Sequence, residues 1–481
     1  MKATTEPQIK RIIATLLTEL SEGNLAIFAG AGLSAPAGFV SWTELLRPIA
    51  EDLDLEIEKE TDLVALAQYH CNTNAANRSK LNQLLINSLS DDVDVTTNHR
   101  ILARLPISTY WTTNYDKLIE NSLTEAGKVP DTKHRVKQLS FTKRGRDAVV
   151  YKMHGDIENP DKAIITKDDY ERYHLDMKFF IDALKGDLVT KCFLFLGFSF
   201  TDPNLDYILS RVRIAYSKDQ KQHYCIQKIV APTAGESQAD TEYRQRKQEL
   251  FIGDLLRFGI KTILVTDYAE ITDILRQLEW AYKRKTIFLS GSAHEYGRWQ
   301  SDEAQRFIYL LSKDIAGLGL RIVSGFGLGV GSSVITGVLE NVYMSGKRLD
   351  SEQLILRPFP QYAVGKRSIS EVWHQYRTDM IAYSGIAIFV FGNKIEDGNV
   401  VIADGVMKEF EIAKSNGSLL IPVAATGYAA REIYNNLFQE GYFDRADLPQ
   451  GLREHINKLA DNDLDLKNIK DILIDLLKLL I

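Results

Sequence analysis

The sequence predicts an α/β protein with two domains, each built on a mainly parallel sheet flanked by helices. Short apolar runs alternate with helical patterns along the chain, and several of these runs end in glycine-rich or polar turns. A length of 481 residues fits two or three domains with sizeable cores. We expect the boundary near Lys283, between residues 1–283 and 284–481, because a new strand pattern starts there.

Six apolar runs in the first part are predicted to be strands. They read NLAIFAGAG, STYWTTN, AVVYKMHG, CFLFLGFS, HYCIQKI and IKTILV. The first four end in Gly, Asn or His-Gly, with polar residues just beyond. Because ligands of open parallel sheets bind at the carboxyl ends of the strands, these four ends predict one common site.

The second part repeats this pattern and ends in a helix. Its predicted strands lie in TIFLSGSA, LRIVSGFGLGVGSSVITGVLE, EQLILRPFP, GIAIFVFGNK and SLLIPVAATG. The tail IKDILIDLLKLLI is interrupted by Asp471, Asp475 and Lys478, so it reads as an amphipathic helix that docks or oligomerises. A second amphipathic helix opens the chain and ends at Gly23.

Composition excludes several functional classes. A net charge of -6 argues against a protein that tracks a nucleic-acid backbone. The three cysteines, Cys71, Cys192 and Cys225, form no CxxC pair, so we expect no zinc site and no disulfide framework. We find neither a signal peptide nor a membrane-spanning run, and we expect a cytoplasmic protein without a membrane partner.

The first two strand ends carry residues suited to a nucleotide. Gly30 and Gly32 would let the backbone approach a diphosphate, although a tight turn without a ligand has the same sequence. Asn114 and Asp116 follow the second strand, where an amide and a carboxylate could orient a ribose or a water. The alternative is that they cap the next helix.

The other two strand ends add a titratable group and a second glycine turn. His154 follows the third strand and could act as a base near neutral pH, although a lone histidine is more often structural. Gly197 and Ser199 end the fourth strand, and Asp202, Pro203 and Asn204 then begin a helix in a turn rich in capping residues.

Together these strand ends resemble the NAD-binding domain of sirtuins. The family pattern runs as a GAGxS loop, a QN-x-D strand end, a catalytic HG and a G-x-S segment, and the resemblance spans about residues 10–280. It implies a Rossmann-like domain that holds NAD+, with catalytic roles for His154 and Asn114. The NAD+ contacts it implies are Gly30, Ala31, Gly32, Ser34, Asp116, Gly197, Ser199 and Asn204.

Departures from the sirtuin pattern narrow the activity. Thr113 replaces the usual Gln, AGFVSW stands where deacylating sirtuins carry GIPDFR, and the structural zinc module between His154 and Gly197 is missing. The resemblance then implies NAD+ as a substrate for glycohydrolysis, with no metal. His154 would be the base, Asn114 would orient ribose and water, and Asp116 would contact the nicotinamide side.

Two other functions stay open from the sequence. One is a zinc-free NAD-dependent protein deacylase, and the other is a non-catalytic nucleotide-binding scaffold in which His154 is structural. The segment from Ala35 to Trp42, where the family pattern lapses, is a candidate for opening or closing the site.

The second domain carries a denser glycine turn. Ser290 and Gly291 end one strand, and the next strand runs into four glycines within seven residues, Gly325, Gly327, Gly329 and Gly331. Farther along the chain, Arg377 and Lys394 could contact phosphates, although a solvated surface charge is the alternative for both.

This second set resembles the SLOG superfamily, whose members include nucleotide phosphoribohydrolases. Arg377 and Met380 match its R-x-x-M segment, and DGVMKEF keeps Gly405 and Glu409 of its third motif but lacks the Thr. The weakened third motif favours a second Rossmann-like domain that binds a nucleotide without hydrolysing it.

A sirtuin-like domain followed by a SLOG domain resembles the NAD-consuming effectors of the Thoeris antiphage system. That resemblance implies a cyclic ADP-ribose isomer as the signal, made by a partner TIR-domain protein, and a homo-oligomer that is a tetramer or larger. It leaves open which isomer binds, the symmetry, the resting activity and whether a cyclic product forms. The implied signal contacts are Ser290, Gly291, Leu328, Gly329, Gly331, Arg377, Lys394 and Glu409.

Overall fold

A computed structural model describes residues 2–39, 41–89, 93–216, 219–346, 353–360, 362, 368–446 and 448–480. Val40 of the 35–42 segment, Glu352 of the predicted strand EQLILRPFP and the terminal Ile481 lie outside the described residues. The chain divides into two compact units, Met1–Glu279 and Trp280–Ile481. Among the described residues, no helix is both long and apolar enough to cross a bilayer.

The first unit is a seven-stranded parallel sheet flanked by helices. Its strand order is β3-β4-β2-β1-β5-β6-β7, and each neighbouring pair is parallel. The strands are β1 Leu25–Ala29, β2 Thr109–Thr112, β3 Pro130–Lys133, β4 Ala148–Lys152, β5 Cys192–Leu196, β6 His223–Lys228 and β7 Ile260–Val265. The helices are α1 Glu6–Ser21, α2 Ala31–Ser34, α3 Trp42–Asp52, α4 Leu63–Thr73, α5 Ser79–Leu89, α6 Thr97–Arg104, α7 Leu118–Glu125, α8 Lys167–Asp176, α9 Lys178–Thr190, α10 Pro203–Tyr216 and α11 Gln238–Leu256. The next helix, α12 Ala269–Arg284, contains the boundary between the two units.

The central strands of this sheet are apolar because helices cover both of its faces. Every residue of β1 and of β5 is buried, as expected for strands inside a parallel sheet. Phe28 of β1 and Phe195 of β5 stack with ring centroids 5.1 Å apart. The chain leaves β1 toward β2 on one side and later enters β5 on the other. The carboxyl ends of β1 and β5 therefore form the switch point at which open sheets bind ligands.

The second unit is a smaller parallel sheet with a hairpin. The sheet order is β10-β9-β8-β11-β14, and β12 pairs antiparallel with β13. The strands are β8 Thr286–Ser292, β9 Arg321–Ser324, β10 Leu354–Leu356, β11 Ile386–Phe391, β12 Asn393–Glu396, β13 Asn399–Ile402 and β14 Leu419–Pro422. The helices are α13 Ser301–Gly317, α14 Gly331–Met344, α15 Ile369–Ile381, α16 Asp404–Ser415, α17 Tyr428–Gln439, α18 Leu452–Lys458 and α19 Leu466–Leu480.

The fold class predicted from the sequence is confirmed, because both units contain mainly parallel sheets flanked by helices. The amphipathic tail forms α19, whose apolar face belongs to the core of the second unit. Lys470 of α19 pairs with Asp314 of α13 at 2.6 Å. The tail therefore docks within its own unit through one face, and oligomerisation stays a prediction.

Candidate active site and nucleotide site

The four predicted strand ends of the first unit line one cavity of about 870 Å³. Of the residues predicted to bind NAD+ or to act on it, all but Gly30 line it: Ala31, Gly32, Ser34, Asn114, Asp116, His154, Gly197, Ser199 and Asn204. Gly30 lies beside the cavity, where its carbonyl accepts a hydrogen bond from Asn114 Nδ2 at 3.1 Å. The roles of these residues stay predictions.

Asn114 fastens the glycine loop to the end of β2. Its Nδ2 also donates to Ser34 Oγ at 3.0 Å, so both amide protons are used within the protein. The backbone N–H of Asn114 donates to Thr112 Oγ1, and Thr112 Oγ1 donates to the carbonyl of Ala29. The Oδ1 atom of Asn114 is left as the acceptor that a ligand hydroxyl or a water can use.

The glycine loop differs in one respect from the phosphate-binding loop that the sequence predicts. The helix that follows it, α2, has only four residues, so it forms a single turn and carries little of a macrodipole. The N–H groups of Gly30, Gly32 and Leu33 already donate to the carbonyl oxygens of Leu196, Gly197 and Gly30. The Ala31 N–H at the start of α2 and the hydroxyl of Ser34 are therefore the donors that this loop offers to an anion. Asp116 lies one residue before Lys117, the N-cap of α7; its Oδ1 accepts from Leu118 N at 3.0 Å, and it also lines the cavity.

His154 lies beside a carboxylate. Its Nε2 is 3.0 Å from Asp202 Oδ2, without the alignment of a hydrogen bond, and both side chains are more than nine-tenths buried. Burial by itself raises the pKa of Asp202, but the charge of His154 and the N–H groups of Leu205 and Asn204 lower it below its usual range. Asp202 is therefore ionised at neutral pH and places a negative charge beside the ring of His154.

Aromatic side chains surround this pair. Tyr170 of α8 lies edge-on to the His154 ring at 5.5 Å and donates a hydrogen bond to Asp202. Trp42 lies in the segment where the sirtuin pattern lapses. Its ring stacks on that of Tyr115 with centroids 6.2 Å apart, and both residues line the cavity. The cavity thus has a polar edge at the strand ends and apolar rings around it.

Sequence reasoning assigned no catalytic role to Asp202 and did not consider Tyr170. The sequence predicts Asp202 only as part of a capping turn, and this is confirmed, since its Oδ1 accepts from Leu205 N at 2.9 Å. The available signal was a carboxylate three residues beyond Ser199, at a strand end already predicted to form the site. For Tyr170 on α8, the linear sequence carries no such signal.

In the second unit, three predicted signal contacts come together. Ser290 Oγ donates to Glu409 Oε2 at 2.6 Å, and Arg377 Nε lies 3.5 Å from Glu409 Oε1. All three side chains are buried, and burial raises the pKa of Glu409. The guanidinium of Arg377 also lies over the ring of Phe359 at 4.7 Å.

The glycine turn of this unit packs against the end of β8. A Cβ atom on Gly327 would lie 2.0 Å from the carbonyl oxygen of Gly291, so only glycine permits this approach. Leu328 is largely exposed at the tip, and Tyr296 Oη donates to the carbonyl of Gly329. Gly331 begins α14, whose N-terminal amides lie at the same edge of the sheet.

Lys394 belongs to the hairpin strand β12 and reaches α16. Its Nζ lies 2.7 Å from Asp404 Oδ1, and this hydrogen bond raises the pKa of Lys394. Arg377 and Lys394 therefore contact different residues of the same helix, Glu409 and Asp404. Lys394 pairs with the first residue of α16 and Arg377 with a residue in its middle, while their contacts with a ligand stay predictions.

Comparison with known proteins finds a family match for each of the two units. Residues 108–251 match the SIR2-like domain family, and residues 270–480 match the Sir2- and TIR-associating SLOG family. The protein named NAD(+) hydrolase ThsA from Bacillus cereus (strain MSX-D12) is 52% identical over 98% of this chain and 99% of its own length. The chain belongs to the ThsA family of NAD(+) hydrolases.

Other relatives support the same assignment. The proteins named NAD(+) hydrolase ThsA from Acinetobacter baumannii (strain 532279) and Cytobacillus dafuensis are 47% and 49% identical, over 90% and 88% of this chain and 91% and 87% of their own lengths. The two family matches confirm the resemblances to the sirtuin and SLOG families stated from the sequence. The SIR2-like match begins at residue 108, so it includes Asn114, His154 and Gly197 but not the glycine loop at Gly30.

The approach of the two glycine turns at the switch point gives a prediction for the ThsA-family fold. Gly197 has a φ of +61°, and a Cβ atom on it would lie 2.1 Å from Leu33 N. We expect Gly197→Ala to lower the free energy of unfolding by more than the roughly 1–2 kcal/mol that a left-handed conformation costs, because the glycine loop must also move. Urea unfolding measures this loss, and calorimetry measures the accompanying loss of NAD+ affinity.

Gly186 provides the matched control. It lies inside α9, and a Cβ atom there would meet nothing within 4 Å. Gly186→Ala is therefore expected to stabilise the protein by roughly 0.5–1 kcal/mol. Equal unfolding free energies for the two variants would contradict the packing described for Gly197.

Proposed function

We propose that the protein is an NAD+ glycohydrolase that converts NAD+ to ADP-ribose and nicotinamide. The observation that carries this proposal is the buried pair of His154 and Asp202 at the edge of a cavity that also contains Asn114 and the glycine loop. Membership in a family named for NAD(+) hydrolysis supports the same reaction.

In this mechanism the bond between the ribose C1′ and the nicotinamide nitrogen breaks and leaves an oxocarbenium-like ribose. A water adds to C1′, and its proton passes to His154, whose Nδ1 is the ring nitrogen that does not face Asp202. Asp202 stabilises the imidazolium that forms. Asn114 Oδ1 accepts from the water or from a ribose hydroxyl, and the Ala31 N–H and the Ser34 hydroxyl donate to the diphosphate.

We further propose that the second unit regulates this reaction. A cyclic ADP-ribose isomer, made by a partner TIR-domain protein in the cytoplasm during infection, binds near Arg377 and Lys394 and activates NAD+ loss as an antiphage defence. A shift from 1:99 to 99:1 between inactive and active states requires about 5.5 kcal/mol of differential affinity. A tetramer or larger homo-oligomer accumulates this difference over several identical sites.

The purified protein tests the proposal directly. We expect NAD+ incubated with the chain to yield ADP-ribose and nicotinamide, faster when a cyclic ADP-ribose isomer is present, with particle size followed in parallel. Nicotinamide release that depends on an added acetyl-lysine peptide would instead indicate a deacylase. Binding of NAD+ without release would indicate a scaffold.

A further inference from the structure

One buried cation of the first unit has no place in the chemistry above. Lys152 is the last residue of β4 and is completely buried. Its ammonium donates to the carbonyl oxygens of Tyr115 at 3.0 Å and Asp116 at 2.5 Å, and to Asp156 Oδ2 at 2.6 Å. An ammonium group has three protons, so these three acceptors use all of them.

These acceptors lie on two different loops that carry the cavity's functional residues. Tyr115 and Asp116 follow Asn114 on the loop after β2, and Asp156 lies two residues beyond His154 on the loop after β4. The strands are parallel neighbours, with Thr112 in register with Lys152. The Lys152 side chain therefore joins the backbone of one loop to a side chain of the other, and both loops contribute residues to the cavity.

The surrounding charges support a fixed ammonium. Glu120 of α7 lies 3.2 Å from Lys152 Nζ but receives no hydrogen bond from it, which agrees with the full use of the three protons. Burial raises the pKa of Glu120, whereas His134 and Lys152 together hold the pKa of Asp156 below its usual range although burial opposes this. Asp156 is thus the charged partner, and it also accepts from Glu158 N at 2.9 Å.

A buried ion pair is weak evidence for stability, since apolar side chains of similar volume often stabilise as well. A lysine at this position does something that an apolar side chain cannot do, because it fixes the carbonyls of Tyr115 and Asp116. We infer that Lys152 is a positioning residue that sets the distance between Asn114 and His154. The inference rests on the proposed function for its effect on catalysis, but not for its effect on the loops.

The test uses Lys152→Met/Asp156→Asn, which removes both charges together. One backbone hydrogen bond between the loops, from Ile157 N to the Tyr115 carbonyl, remains in this variant. We therefore expect Asn114 and His154 to be misplaced while the protein stays folded. The expected result is a loss in kcat on the order of 10²-fold with KM for NAD+ near the wild-type value, because misplacement of about 1 Å can cost that much. Amide exchange in residues 113–118 and 153–158 should become faster.

Lys133 gives a matched control. It is the last residue of the neighbouring strand β3, is also buried, pairs with Asp131 at 2.7 Å and donates to the carbonyl of Phe141, but it does not line the cavity. Lys133→Met/Asp131→Asn is expected to lower the thermal midpoint and to leave kcat unchanged. Asp156→Asn alone, which keeps the ammonium, separates the loss of the cation from the loss of its partner.

Wild-type kcat together with unchanged exchange in both loops would overturn the inference. If the double variant does not fold, amide hydrogen exchange in the wild-type protein tests whether the loops are fixed. Residues 113–118 and 153–158 must then be protected as strongly as β2 and β4, and rapid exchange there would refute a fixed arrangement. If the wild-type protein releases no nicotinamide, the proposed function fails, while loop exchange in the variant still tests the role of Lys152.

Discussion

Replacing His154 by alanine is expected to leave NAD+ binding intact and to reduce nicotinamide release by about 10²–10⁴-fold. In the proposed mechanism the imidazole accepts the proton of the attacking water, whereas the glycine loop and Asn114 hold the rest of the substrate. Calorimetry with NAD+ and a nicotinamide assay measure binding and release on the same preparation. Near wild-type release would show that His154 is not the base.

A second histidine–aspartate pair provides the control. His70 of α4 is buried, and its Nε2 lies 3.2 Å from Asp52 Oδ2, but neither residue lines the cavity. His70→Ala is therefore expected to cost stability while the folded enzyme keeps its rate. A comparable loss of rate in both variants would indicate that His154→Ala acts through the fold.

The partner of His154 can be tested separately. Asp202→Asn keeps the shape and the oxygen that accepts from Leu205 N, but it removes the charge beside the imidazole. We expect a loss in kcat with little change in affinity, because the carboxylate stabilises the imidazolium only once the proton has moved. An unchanged kcat would leave Asp202 as a helix cap alone.

Arg377→Ala is expected to abolish activation by the cyclic ADP-ribose isomer and to leave the unactivated rate unchanged. Its guanidinium is the buried cation beside Ser290 and Glu409, at the edge where a phosphate would bind. Allosteric couplings typically change an affinity roughly 5–150-fold. In the variant, the ratio of the nicotinamide release rates with and without the isomer should fall to one. Nicotinamide release with and without the isomer measures it.

The fold of the second unit is expected to survive this change. Burial already raises the pKa of Glu409, so the carboxyl can take up a proton when the guanidinium is lost, and Ser290 still donates to it. Lys394→Ala should also lose activation. Arg431→Ala is the control, because Arg431 also lies over a ring, that of Tyr434, and donates to a backbone carbonyl without being a predicted contact. Normal activation in Arg377→Ala would refute the sensor role.

Most of the sheet could be predicted from the sequence because buried parallel strands read as continuous apolar runs. LAIFA and CFLFL are such runs, and both form strands whose every residue is buried. The edge strand β3, with the sequence PDTK, was not predicted, because its proline and charges carry no strand signal. This segment forms a strand because it pairs with β4 at the edge of the sheet, and that pairing does not depend on the local sequence alone.

The hairpin β12–β13 was also not predicted, although a signal was present. Asp397 and Gly398 join the two strands, and both have positive φ, as a type I′ turn requires. The predicted strand GIAIFVFGNK ran β11 and the start of β12 together; recognising this Asp-Gly pair would have placed Lys394 on a separate hairpin strand.

The sequence alone determined which residues stand at strand ends, since a strand end is a local change from apolar to polar or glycine residues. Asn114, His154 and Gly197 were predicted in this way, and the structure brings them to one cavity. Which of these ends meet, and through which side chains, only the tertiary structure decided. His154 lies beside Asp202, and Lys152 donates to the carbonyl of Asp116. The order of the strands, not their separation in sequence, sets distances across a sheet, and the strength of an ion pair depends on those distances.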